Sequence, residues 1–212
     1  TEIWSAGDDR RKMHFEWQQG SLFAVPLNTR HRMINGSREP AFFLAVTSAP
    51  LMVDLLHNMP FVMGSEYKFD DRFHGENNYF VPTNSRKEVG GFVNWETNFI
   101  ADARGALVDP SEAKGFGVKI TSFDMGGSTL VGHIAEWPVG RYHKAHFHQG
   151  GAILLILRSQ GYTLMWPPEA SIRPYQSGHG DQVVKVDWRE GSVFSPPSGW
   201  FHQHFNTGNE KA

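Results

Sequence analysis

Gly140-Arg-Tyr-His143-Lys-Ala-His146-Phe-His148 and Gly191-Ser-Val-Phe-Ser-Pro-Pro197-Ser-Gly199-Trp-Phe-His202-Gln-His204-Phe-Asn206 decide between them how this chain folds. In an extended strand, side chains two apart share a face, so His146 and His148 can aim at one ion. Two imidazoles on one strand make half a site. The second stretch returns a third, His202, from behind a Pro-Ser-Gly turn, and a sheet curled into a barrel is what brings such distant strands to one interior point.

The first stretch reads Gly-x5-His-x-His and is followed by an apolar strand that ends at Gly161; the second reads Gly-x5-Pro-x-Gly-x2-His-x3-Asn. Together they resemble the paired motifs of the cupin superfamily, the second at each of Gly191, Pro197, Gly199, His202 and Asn206. Cupins often carry a Glu a few residues after the His pair as a further metal ligand. Here residues 149–157 read Gln-Gly-Gly-Ala-Ile-Leu-Leu-Ile-Leu, and no acidic residue occurs between Glu136 and Glu169.

The resemblance implies an all-β fold, a cupin (double-stranded β-helix or jelly-roll) barrel, with His146, His148 and His202 as ligands of a divalent metal. Fe(II) leads, and Zn, Mn or Ni are alternatives. Neutral imidazoles leave the ion its full charge and open positions, an arrangement suited to chelating anions. Cupins with three His and an apolar residue in place of the Glu include the gentisate and salicylate ring-cleaving dioxygenases and the diketone and thiol dioxygenases. The string Trp200-x-His202-x-His204-x-Asn206 and a duplicated layout are most similar to the gentisate group. An Fe(II) dioxygenase acting on a small aromatic hydroxy acid or dicarbonyl is the function implied, with Leu154, Ile156 or Trp200 as apolar walls. A non-oxidative hydrolase, isomerase or decarboxylase using Zn, Mn or Ni, and a binding barrel without chemistry, stay open beside it.

His204 falls on the face of His202 if the strand is regular. It is the candidate catalytic residue, as orienter, substrate contact or proton shuttle; its other reading is a hydrogen-bonded core histidine. His143 is expected on the rim. His31, flanked by Arg30 and Arg32, is expected to be structural, and His14, His57, His74, His133 and His179 to be ordinary surface or loop residues.

Composition removes several classes. With 20 basic against 22 acidic residues, no net field recruits nucleic acid or anionic lipid. Zero Cys excludes disulfides and thiolate chemistry. The longest apolar runs fall far short of the ~20 residues that cross a bilayer. The reading is a cytoplasmic protein with a small-molecule substrate and no nucleic-acid or membrane partner.

Residues 16–35, from Glu16-Trp17 through Gly20, Phe23, Pro26 and His31 to Asn35, align without a gap on 187–206 at an offset of 171, and Trp4 pairs with Trp166. Self-similarity at a domain-sized period means duplication, which in this family implies a bicupin. The expected layout is 1–50 as the later part of an incomplete first barrel, 51–92 as an aromatic connector with a short helix near 51–57, and 93–212 as a second, metal-binding barrel lacking its last strand. Residues 42–47 read as a strand with no counterpart after Ala212, and the first copy starts beyond its own His pair. Either the chain is a piece of a longer protein, the reading adopted, or a partner supplies the strands. Cut edges motivate a homo-oligomer. Residues 152–157 are apolar on both faces, as a strand covered on each side would be.

Overall fold

Glycine turns and short apolar alternations break the chain into fifteen strands and two short helices among the described residues. The structure, a computed structural model, describes residues 1–212 apart from the side chain of Glu112. The fold is all-β, as the motifs imply. Two units are distinguished: residues 1–89, 94–103 and 122–132 form one, and residues 90–93, 104–121 and 133–212 the other.

In the first unit, β1 (Glu2–Ser5) runs antiparallel between β2 (Met13–His14) and β4 (Thr29–Arg32). Strand β3 (Leu22–Phe23) pairs with β7 (Phe99–Ile100). Helices α1 (Ala49–Leu56) and α2 (Met59–Gly64) follow β4, and neither contains a buried residue. Beyond β5 (Arg86–Val89), β6 (Phe92–Glu96) and β8 (Lys119–Asp124) pair in parallel from Asn94↔Ser122 to Glu96↔Asp124. The expected aromatic connector divides in its role. Phe73, Tyr79 and Phe80 are core residues with Ile3 and Phe99, and Phe15 stacks on Phe80 at 3.9 Å, whereas Phe61 and Tyr67 are exposed.

The second unit holds β9 (Gly132–Glu136), β10 (Tyr142–His146), β11 (Leu154–Leu155), β12 (Gln160–Trp166), β13 (Val184–Arg189), β14 (Val193–Phe194) and β15 (Phe201–Asn206). One sheet has the order β10-β15-β12-β13, and β11 pairs with β14 in another. Neighbours distant in sequence, joined antiparallel, are the pairing of a jelly roll. Val118, Ile120, Trp137, Ile156 and Trp188 are buried together, with Leu154 and Phe194 packed on them. Trp188 lies against Gly161 so closely that a Cβ there would sit 2.6 Å from the indole. That contact, and the Phe205 carbonyl close by, explain why the residue of β12 that pairs with Trp188 is a glycine.

The duplication is legible in the strand registers. Trp4, Ile3 and Glu2 face Arg30, His31 and Arg32, and Trp166, Met165 and Leu164 face Phe201, His202 and Gln203. On the other edge Ile3↔Met13 corresponds to Met165↔Val184, and β3 falls on β14 at the same offset of 171. Sheet β2-β1-β4 therefore repeats β13-β12-β15. No described strand of the first unit repeats β10, the strand that carries His143 and His146.

Two local expectations fail. Residues 42–47 form no strand, and Phe42 is 95% exposed; with no neighbouring ladder, extended backbone takes its hydrogen bonds from water. In 152–157 only Leu154 and Leu155 are in a strand, and the run is covered on one face: Ile156 is buried while Ile153 and Leu155 are exposed. Apolar runs do not distinguish burial on one side from burial on two.

Candidate metal centre

β10 and β15 lie side by side, with His146 opposite His202 and His143 opposite His204. Strict alternation back from His146 would turn His143 outward. A β-bulge between His143 and His146 resets the phase, so both point inward. His143 is therefore 3% exposed rather than on the rim. Its ring centroid lies 4.3 Å from that of His146 and 5.9 Å from that of His204.

His148 lies just past the end of β10, and the Pro-Ser-Gly turn expected before His202 is what holds it. Gly199, at φ +76°, donates its N–H to the His148 carbonyl at 3.0 Å, and the Ser198 hydroxyl donates to the carbonyl of Gln149. The ring of His148 then stands 5.0 Å from His146 and 5.2 Å from His202, and His146 stands 4.3 Å from His202. The structure thus brings together the three residues expected as ligands. Their nearest ring nitrogens lie within 4.8 Å of one another, and so do those of a second group, His143, His146 and His204. Neither group contains a carboxylate, and among the described residues no such group includes His31, which is exposed.

Backbone carbonyls set the tautomers. Nδ1 of His146 is 2.9 Å from the Lys144 carbonyl, and Nδ1 of His202 is 3.2 Å from the Trp200 carbonyl. A carbonyl can only accept, so both Nδ1 atoms carry hydrogen and the Nε2 lone pairs are free. This is the outer arrangement that orients imidazole ligands in metal sites. Asn206, 1% exposed, anchors the far end of β15: its amide donates to the carbonyls of Trp137 and Glu210 and accepts from Ser159 Oγ.

Electrostatics agree. Burial, reinforced by His146 and Lys114, pushes the His143 imidazole down to about 3. Burial likewise takes His146 and His202 to about 4, although their carbonyl hydrogen bonds oppose the change. His148 is lowered by burial and Lys114. Burial holds His204 well below the usual histidine range, with His202, His143 and His146 adding to the effect. All five rings are neutral near pH 7, as metal ligation requires. Lys114, missed in the sequence, is the cation whose field reaches His143, His146 and His148.

His204 is 2% exposed and shares Nδ1 with the Thr163 hydroxyl at 2.8 Å. Trp137 stacks on it at 4.7 Å, and Phe194 meets its edge. Of the expected apolar walls, Ile156 and Leu154 belong to that same core, and Trp200 is half-buried in the turn before β15. Among the described residues no helix is long and apolar enough to cross a membrane.

No protein-family model and no curated protein matches the chain. Solved structures similar to it include a predicted oxalate decarboxylase of Thermotoga maritima (20% identity, 44% of this chain and 72% of that one, TM-score 0.33). A recombinant oxalate oxidase in complex with glycolate follows (18% identity, 52% and 56%, TM-score 0.38). A mutant of Bacillus subtilis oxalate decarboxylase aligns with 78% of this chain at 14% identity and a TM-score of 0.41, and the chain spans 41% of its length.

Proposed function

We propose that the protein is a metal-dependent dioxygenase whose His146, His148 and His202 hold Fe(II) and whose substrate is a small chelating anion, an aromatic hydroxy acid or a dicarbonyl. The observation that carries this reading is the pair of carbonyl-fixed tautomers, which leave the Nε2 atoms of His146 and His202 free beside the ring of His148. Three neutral nitrogens fit a borderline divalent ion and leave open positions. Fe(II) bound there would supply the redox chemistry for O₂-dependent cleavage. The chain's own residues do the rest. Lys114 adds positive charge beside the triad and favours an anionic substrate. Trp137, Phe194 and Ile156 form a dry floor behind it. His204, buried among them, supports that floor rather than reaching substrate.

The test is oxygen uptake by the anaerobically Fe(II)-loaded full-length chain with a panel of hydroxybenzoates, catechols and diketones. Uptake that depends on iron and substrate, is lost in His148→Ala and shows a raised KM in Lys114→Met supports the reading. An iron-loaded protein that consumes no oxygen with any of them overturns it, and turnover under nitrogen with Mn, Ni or Zn would assign the barrel to non-oxidative chemistry instead.

A further inference from the structure

Five histidines crowd one end of the β10-β15 ladder, and the outer triad uses three. The remaining two, His143 and His204, are almost wholly buried, 3% and 2% exposed. Nε2 of His143 meets no hydrogen-bond partner among the described residues. His204 pairs its Nδ1 with Thr163 Oγ1, a hydroxyl that also accepts from Trp188 Nε1 at 3.1 Å; with Nδ1–H donating to that oxygen, Nε2 is the ring's ligating nitrogen. With His146, these rings offer nitrogens within 4.8 Å of one another. Buried polar atoms are normally paired, and a buried imidazole nitrogen without a partner, with nitrogens of two further histidines inside 4.8 Å, has the chemistry of a cation site.

We propose that the barrel has a second, inner seat for a divalent cation, formed by His143, His146 and His204, which shares His146 with the outer triad and takes the same ion in the outer seat's place. The exclusivity follows from one bond. Nδ1 of His146 donates to the Lys144 carbonyl, so the ring has a single lone pair, on Nε2, and cannot bridge two ions. The inner seat is closed where the outer is open: Trp137 stacks on His204 at 4.7 Å and on His143 at 6.2 Å, and both histidines are sealed from solvent. An ion there is retained but out of reach of substrate. The all-imidazole donor set selects Zn, Co, Ni or Fe(II) over Mg and Ca. This inference rests on the same ligand role of His146 that underlies the proposed function.

Co(II) titration of the full-length chain, followed by calorimetry and visible ligand-field absorption, separates the two. Wild type should take one ion per chain. His148→Ala keeps the inner three ligands whole, so its affinity should fall less than about 10-fold, while adding His143→Leu should cost on the order of 100-fold more, as losing a metal ligand or its support does. The same pair of variants with His202→Ala also present should behave alike, still binding one ion until His143 is replaced. His143→Leu without further effect in the His148→Ala background overturns the inner seat alone, and so do two ions per wild-type chain. Wild type that binds no Co(II), Zn(II) or Fe(II) removes the outer site and the inner one together.

Discussion

At the scale of the residue, His143 shows how a single inserted position changes a site. Its spacing of three from His146 is odd, and in a regular strand an odd spacing means opposite faces. The bulge that cancels this leaves no mark in Tyr-His-Lys-Ala-His, so the sequence places His143 outside while the structure seals it in. The grouping of His146, His148 and His202 was legible because their spacing is tied to turns rich in glycine and proline. The neutral state of the cluster has a consequence for stability. Folded pKa values of about 3 for His143 and about 4 for His146 and His202 lie below the ordinary 6.5, so these rings stay neutral in the fold and take up protons only when the chain unfolds. Their contribution is complete above about pH 6.5 and is lost as pH falls through the range down to their folded values. At pH 5 the three together give a slope of roughly 4 kcal/mol per pH unit. Urea denaturation of metal-free protein at pH 7.5, 6.5 and 5.5 should show the midpoint falling slightly over the first interval and roughly three times as far over the second. His143→Leu should make that fall shallower by about one proton. A midpoint that does not move below pH 6.5 would mean that the rings titrate in the folded state.

At the scale of the element, two motif positions, Asn206 and Gly161, hold strands in place. Asn206 closes β15 by joining the Trp137 and Glu210 carbonyls to Ser159, all from a site 1% exposed. Asn206→Ala leaves several buried groups unpaired and should lower stability by about 3 kcal/mol, read as a lower denaturant midpoint with an unchanged m-value. Gly161 answers to volume instead. Gly161→Ala puts a methyl against the Trp188 indole and the Phe205 carbonyl, and backbone cannot yield as a side chain can. The expected cost is about 2 kcal/mol, with altered Trp fluorescence because Trp188 must move; unchanged stability and emission would show that β12 shifts freely. Residues 42–47 and 152–157 misled because an apolar run signals only that burial is available, while the neighbour that provides it comes from elsewhere in the chain.

At the scale of the whole molecule, the offset of 171 between Trp17 and Trp188, Gly20 and Gly191, and His31 and His202 announced a repeat, and the registers around Trp4 and Trp166 reproduce it residue by residue. What the repeat could not announce was that helices α1 and α2 bury nothing, or that Phe73, Tyr79 and Phe80 complete the first core, because amphipathic spacing and aromatic content do not name the surface they meet. The duplication also sets a test of where a cation acts. Among the described residues, sheet β2-β1-β4 has the register of β13-β12-β15 and no strand equivalent to β10, and no group of ligating side chains includes His31. A ligand at 100 times its Kd stabilises the state that binds it by about 2.7 kcal/mol, and this stabilisation reaches only the amides whose opening breaks the site. Hydrogen exchange with and without saturating Co(II) should therefore slow in β10, β12 and β15, most of all at Thr163 and His202, and stay unchanged in β1 and β4. Equal slowing around Ile3 and His31 would place a cation in the first unit and end the view that its copy of the motif is structural.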